Sequence, residues 1–420
     1  TEVGFSADGT LSIPGGQSDL LATTPETLYL RGGNDIARAD RTFNLSAGTL
    51  IFESGGQGGS ATLNTNVGTL DANIGNGASL TVVEANDLVL GTITAGGNVS
   101  ITAGNLQDDG DANAVTRISA GNSVSLNGAA GVGSATNRID TAGQSVSVQS
   151  ANGAVFVSHA GDVQLSGSAG GAIDVETTTG NITVASNLQA TGPLTLTAGS
   201  ATQAGNIVLN GTAGSAGAAT LTALGGGAIS DSDDAAAHLS AQDLTLSAST
   251  IGSQANRLSI DAVSLTAAAD SIHVQDVNAL QLRSIAGQTV AIGAAGALTD
   301  DGDNATRVSA QTLSLSGSTI GAVGNEVDIN AGSLSASTSA GGIFISEQDD
   351  VQLASIGATG GDVALTAAGA IADDGDDATR ISGNGLTLTA ASIGASGAEI
   401  DTQVASLSAT ASAGGVYVNE

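Results

Sequence analysis

Residues 371–390 read IADDGDDATRISGNGLTLTA, with four aspartates inside five positions followed by a run in which apolar and polar residues alternate. In an extended chain Leu386 and Leu388 point to one face and Thr387 and Thr389 to the other, because strand side chains alternate. The same pattern returns as LTDDGDNATRVSAQTLSLSG at 298–317, as ISDSDDAAAHLSAQDLTLSA at 229–248, and more loosely as LQDDGDANAVTRISAGNSVSLNG at 106–128. A pattern rebuilt several times in one chain points to a repeat architecture.

Three further landmarks recur in fixed order around this one. SIGASGAEIDT at 392–402 has relatives in STIGAVGNEVDI, STIGSQANRLSID and AGVGSATNRIDT. Next comes a strand that ends in a polar residue: TVVEAND, VFVSHAGD, IHVQDVN, IFISEQDD and VYVNE. The last is DLVLGTI, DVQLSGS or DVQLASI. Aligning the polar-ended strands makes Glu84, His159, Asp276, Glu347 and Glu420 equivalent. Three of the four intervals between them give a module of about 73 residues. The longer interval, from His159 to Asp276, holds extra coils within 166–210.

Short alternating segments such as LTLTA, VALTA and ITVAS, separated by Gly, Asn, Ser and Asp, recur roughly every 13 to 22 residues. Four coils divide one module: 361–382, 383–402, 403–420 and a shorter one like 348–360. Such coils, each unable to bury its own apolar face, predict an all-β, elongated parallel β-helix of roughly 20-residue coils. The preference of parallel crossovers makes it right-handed. About twenty coils at a spacing of about 4.8 Å give a rod on the order of 100 Å. The regular rod is expected over 63–420. Residues 1–62 form a less regular start or cap with bulky loops, or a lateral contact surface. That segment holds Pro14, Pro25, Phe5, Phe43, Phe52, Tyr29, Arg31, Arg38 and Arg41.

Composition agrees with a thin core. Only 2% of the 420 residues are aromatic, 61 are glycine, and Trp, Met and Cys are absent, so the apolar content is chiefly Ala, Val, Leu and Ile. Large rings normally fill thick interiors. Forty acidic residues face nine basic ones, all arginine, for a net charge of −31. That balance disfavours nucleic acid and anionic lipid as partners. No apolar run reaches the roughly 20 residues of a membrane span. Without cysteine there is no disulfide framework. Neither an initiating Met nor a signal peptide is present, so the chain reads as a processed product or an excised fragment.

Segments such as GNVSITAG, GDVALTAAGAI and GGNVSITAGNLQDDGD make the stretch 63–420 resemble the shafts of filamentous-haemagglutinin-type exoproteins, large bacterial surface and biofilm-matrix adhesins exported by two-partner secretion. The family's NPNL-like and NPNG-like secretion motifs do not occur in the chain. The resemblance implies a right-handed β-helix and export through an outer-membrane transporter to the bacterial cell surface. It also implies adhesion to exopolysaccharide, surface glycans or other cell-surface molecules. Two alternatives stand beside it: a purely structural shaft or self-associating fibre with binding elsewhere, and, more remotely, a β-helix polysaccharide-degrading enzyme.

The acidic corners have two readings. As calcium ligands they offer Asp108, Asp109 and Asp111; Asp300, Asp301 and Asp303; and Asp373, Asp374, Asp376 and Asp377, each set around a glycine turn. The spacing is neither that of an EF-hand loop nor the GGxGxD nonapeptide. As plain corners they close turns through Asp side chains on their own backbone. Arg117, Arg307 and Arg380 follow their corners and neutralise part of the charge. The copy with Ser232 and His238 would be the poorest cation site. No catalytic residue is assigned. Equivalent polar residues four coils apart lie about 19 Å from each other, too far for paired carboxylates that need about 5 to 9.5 Å. His159, His238 and His273 are scattered over separate modules. An outward threonine ladder for ice binding is interrupted by Ser, Asn, Asp and Gln. Sequons at Asn98, Asn181, Asn210 and Asn304 could carry glycans, as in some bacterial adhesins, and in a chain this rich in Asn, Ser and Thr chance explains them equally well.

Overall fold

The computed structural model describes residues 3–7, 19–23, 26–32, 42–54, 60–75, 77–110, 117–232, 237–373 and 381–420. Among these residues every regular element is a strand. The strands stack in parallel as a β-solenoid of about 17 turns of about 21 residues. The chain divides into two compact units, residues 1–217 and 218–420.

In the first unit like residues stack on like. Leu80, Val99, Val124, Val146, Leu165, Val184 and Leu209 form one ladder through successive turns. All seven are at most 1% exposed. The parallel pairing begins early: Val3–Ala7 lies on Thr27–Gly32, which lies on Thr42–Ser54, which lies on Ala61–Ile74. Phe52 is fully buried there, and Arg31 pairs with Glu53 at 3.0 Å. Pro14, Pro25, Arg38 and Arg41 lie outside the described residues. Across 166–210 the strands Ile173–Thr177, Ile182–Ala190, Leu194–Ser200 and Ile207–Leu209 continue the stack, with one short antiparallel pair between Leu194–Ser200 and Gln203–Ala204.

In the second unit the ladder runs Leu280, Leu298, Ile320, Ile343, Val363, Leu386. The alternation read from 386–389 is realised: Leu386 and Leu388 are 2% and 0% exposed, while Thr387 and Thr389 face solvent. Burying each such aliphatic side chain contributes roughly 1.5–3 kcal/mol, and the parallel ladders satisfy the strand backbone on both sides. Small outward residues add polar ladders of their own at the turn entries. In the first unit Asn181 N–H donates to Asp162 at 2.8 Å and Asn206 N–H to Asn181 at 2.8 Å.

The division of a module into four coils is corrected by the register. From Ile343 the stack climbs through Val363 and Leu386 to Leu407, three full turns. Val416, the equivalent of Ile343 one module later, is not on that stack. It rests on Ile393, which rests on Ile371 and Val351, along another face. The segment 348–360 is not a coil of its own, since Val351–Ala358 continues the turn begun by Ile343–Glu347. With about 21 residues per turn, one module takes close to three and a half turns. The solenoid has about 17 turns where about twenty were expected. Equivalent side chains in successive modules of this unit therefore change face.

Candidate functional site

The polar residue that ends the third-landmark strand is an interior group in four of the five copies, and is exposed only at Glu420 on the last turn. Glu84, Asp276 and Glu347 are 5%, 0% and 2% exposed. Each carboxylate holds a corner by joining two turns. Glu84 accepts N–H groups from Asn86 of its own turn (3.1 Å) and from Val67 of the turn before (3.0 Å). Asp276 takes Asn278 (2.6 Å) and Ala262 (2.9 Å) in the same way. Glu347 takes Gln348 (2.9 Å), Asp349 (3.3 Å) and Ala331 (3.0 Å). Glu420 reaches Val404 N–H at 3.2 Å and the Thr402 hydroxyl at 2.6 Å. Burial raises the Asp276 carboxyl above its usual range and pushes Glu347 up to about 7, against the pull of its backbone donors.

His159 fills the same position with complementary chemistry. Its Nε2 donates to the Gly143 carbonyl at 3.1 Å, which leaves Nδ1 to accept from the Thr141 hydroxyl at 2.9 Å. Burial lowers its pKa, which favours the neutral ring. A histidine serves where the preceding turn presents a carbonyl rather than an N–H.

Sequence reasoning treated these residues as polar strand ends and missed their burial. The signal was present in the parity: in IFISE, Glu347 shares its side of the strand with Ile343 and Ile345.

At the acidic corners the first aspartate is again a backbone clamp. Asp108 accepts Gly110 N–H at 2.9 Å, and Asp300 accepts Gly302 N–H at 2.9 Å and Asp328 N–H at 3.4 Å. The following arginine pairs with carboxylates of its corner. Arg117 places Nε 3.1 Å from Asp108 and Nη2 2.8 Å from Asp109. Arg307 bonds Asp301 through Nε at 3.0 Å, pairs its Nη2 with Asp303, and donates Nη1 to the Arg283 carbonyl at 3.2 Å. At both corners the guanidinium sits among the carboxylates that would face a cation. Among the described residues no group of three or more His, Asp or Glu is gathered in a metal-holding arrangement. Asp373 ends the strand Ala370–Asp373, and Asp111, Asp374, Asp376, Asp377 and Arg380 lie outside the described residues.

The variant corner brings three residues together. Asp231 accepts Ser259 N–H at 2.7 Å and stands 3.5 Å from His238 Nδ1, while His238 N–H donates to the Ser259 carbonyl at 3.0 Å. All three are at most 8% exposed, and the Asp231 oxygen is committed to backbone. Burial raises the Asp231 pKa.

Two grooves mark the outer surface of the second unit. One, of about 900 Å³, crosses several turns over a floor of Ala269, Gly287 and Ala310, with Asp270, Gln288 and Gln311 along it. The other, of about 520 Å³, lies beside Phe344 under the loop carrying Val323 and Glu326, and runs past Asp362 and Thr387. Among the described residues no helix is long and apolar enough to cross a membrane. No family model, curated protein or solved structure matches the chain.

Proposed function

We propose that this chain is a section of a bacterial attachment protein of the filamentous-haemagglutinin type. In this reading it is secreted through an outer-membrane transporter, displayed at the cell surface, and holds exopolysaccharide or surface glycans through many weak contacts along its turns. The observation that carries the reading is the stacking itself: each turn returns the same kinds of short polar side chain to the outer surface, so a long ligand meets a repeated site. Avidity from such repetition exceeds single-site affinity by orders of magnitude without a deep pocket. The acidic surface, with a net charge of −31, adds selectivity for partners that are not themselves strongly anionic.

A catalytic role is disfavoured because Glu84, Asp276, Glu347 and His159 are buried and bonded to backbone, with none of them lining either groove. Calcium at the acidic corners is a secondary proposal, in which the ion would supplement the arginines. The test is co-sedimentation of the intact chain with cell-surface polysaccharide, in calcium and again in chelator. Sedimentation in both conditions supports attachment with corners closed by arginine. Loss in chelator assigns the corners a cation. No sedimentation in either removes attachment from this chain and leaves a structural shaft.

A further inference from the structure

After residue 52 the chain has three Phe or Tyr residues, Phe156, Phe344 and Tyr417. All three fall on one repeat position, the second residue of the third-landmark strand, and His273 takes that position in the remaining later copy. By strand parity the position faces outward: Ile343 and Ile345 on either side of Phe344 are each 1% exposed, Phe156 and Phe344 are half-buried, and Tyr417 is exposed on the last turn together with Val416. Core packing does not explain rings placed there, in a chain that otherwise dispenses with them.

The surroundings of the ring are built to present it. Phe344 folds back over Gly342, where a Cβ would run into the ring, and Gly415 gives Tyr417 the same room. Directly beyond Phe344, on successive turns, stand Ala364, Thr387 and Ser408, a row of small side chains about 4.8 Å apart. That spacing is close to the length of one hexose ring. The groove beside this row is about 520 Å³, within the roughly 300–1,000 Å³ of ligand sites. Carboxylates stand along it: Glu326 accepts Gly324 N–H at 3.0 Å and Asp362 accepts Gly385 N–H at 3.0 Å, which fixes both side chains.

We propose that the outward ring of each module is a sugar-stacking platform, and that the groove leading from Phe344 across Ala364, Thr387 and Ser408 takes an extended neutral polysaccharide. This rests on the attachment reading above and assigns it residues. The apolar face of a hexose lies on the ring, and hydroxyls donate to Glu326 and Asp362 and bond Thr387. Those carboxylates, with the net charge of −31, repel uronates and sulfated sugars, which selects neutral chains. Because the module is close to three and a half turns, Phe344 stands on one face of the second unit, and His273 and Tyr417 on another. Two glycan chains are thereby held on different faces of the same unit.

The test is retention of the intact chain in affinity electrophoresis against a panel of neutral polysaccharides (dextran, galactomannan, xyloglucan) and anionic ones (alginate, hyaluronan). A variant combining Phe156→Ala, Phe344→Ala and Tyr417→Ala runs beside it, with circular dichroism reporting its fold. Retention by a neutral member that falls about tenfold or more in the variant supports the proposal. Retention by a neutral member that the variant keeps, or by anionic members alone, overturns it while leaving attachment standing. No retention by any member removes the attachment reading and this one with it. A second readout needs no multiple variant: in a Tyr29→Phe protein, which has no Trp, Tyr417 is the sole strong emitter. Its fluorescence should change on titration with the retained glycan, and an unchanged spectrum at saturation contradicts stacking at that ring.

Discussion

At Arg117 the chain buries a guanidinium that is 4% exposed beside an Asp108 carboxylate that is 2% exposed. Such a pair adds little over apolar packing, but breaking it strands a charge, at a cost of about 3–5 kcal/mol. Arg117→Met should therefore lower the unfolding midpoint sharply, and adding Asp108→Asn should recover most of the loss. Urea titrations of the two variants check this; equal stabilities would contradict the role given to the pair. The Glu347 carboxyl makes a second prediction. Folded, it keeps its proton to about pH 7, whereas its ordinary value is 4.5, so the native state binds more protons between these limits. Its contribution to stability is complete below about pH 4.5 and is lost as pH rises through about 7, on the order of 3 kcal/mol at most. The melting temperature of wild type relative to Glu347→Gln should rise as pH falls from 8 to 5. A difference independent of pH would contradict it. Residue types and spacing were legible in the sequence at both places. Burial was not, because a carboxylate that ends a strand looks the same whether its last bonds go to water or to the backbone of a neighbouring turn.

At the scale of the element, each module depends on one backbone corner. Gly133, Gly252, Gly321 and Gly394 share φ between 60° and 65°, and a Cβ on Gly321 would collide with the carbonyl oxygen of Phe344 on the next turn. Gly321 N–H also donates to Leu298 O at 2.9 Å, so the corner joins three turns. Gly321→Ala should cost more than the roughly 1 kcal/mol of a left-handed alanine, because the clash adds to the strain. Hydrogen exchange across 320–347 reads the loss, and unchanged protection there would count against it. The strands themselves were readable from period-two alternation, as in 386–389. The number of turns per module was not. Equal spacing of landmarks gives the length of a repeat, while the register that divides it into close to three and a half turns is set by which ladder each strand joins. A segment such as 348–360 looks like a short coil until Val351 is seen to continue its turn.

At the scale of the whole chain, composition and architecture express one constraint. A core lined by Leu, Val, Ile and Ala is thin and repeats cheaply, and it leaves the outer positions to Ser, Thr, Asn and Asp. Four homologous landmarks in fixed order were enough to read a parallel solenoid. What they left hidden was the ring position, whose three copies among so few aromatics stand on the outward side of the strand by parity, with Phe156 and Phe344 half-buried there. In the attachment reading proposed above, function on this scale is a matter of valence. The most direct measurement is calorimetric titration of the intact chain with size-fractionated oligosaccharides of a neutral polysaccharide that retains it. The account predicts that affinity climbs steeply once the oligosaccharide outgrows one groove and engages several turns. Affinity that stays level with length, as for one isolated pocket, would contradict it.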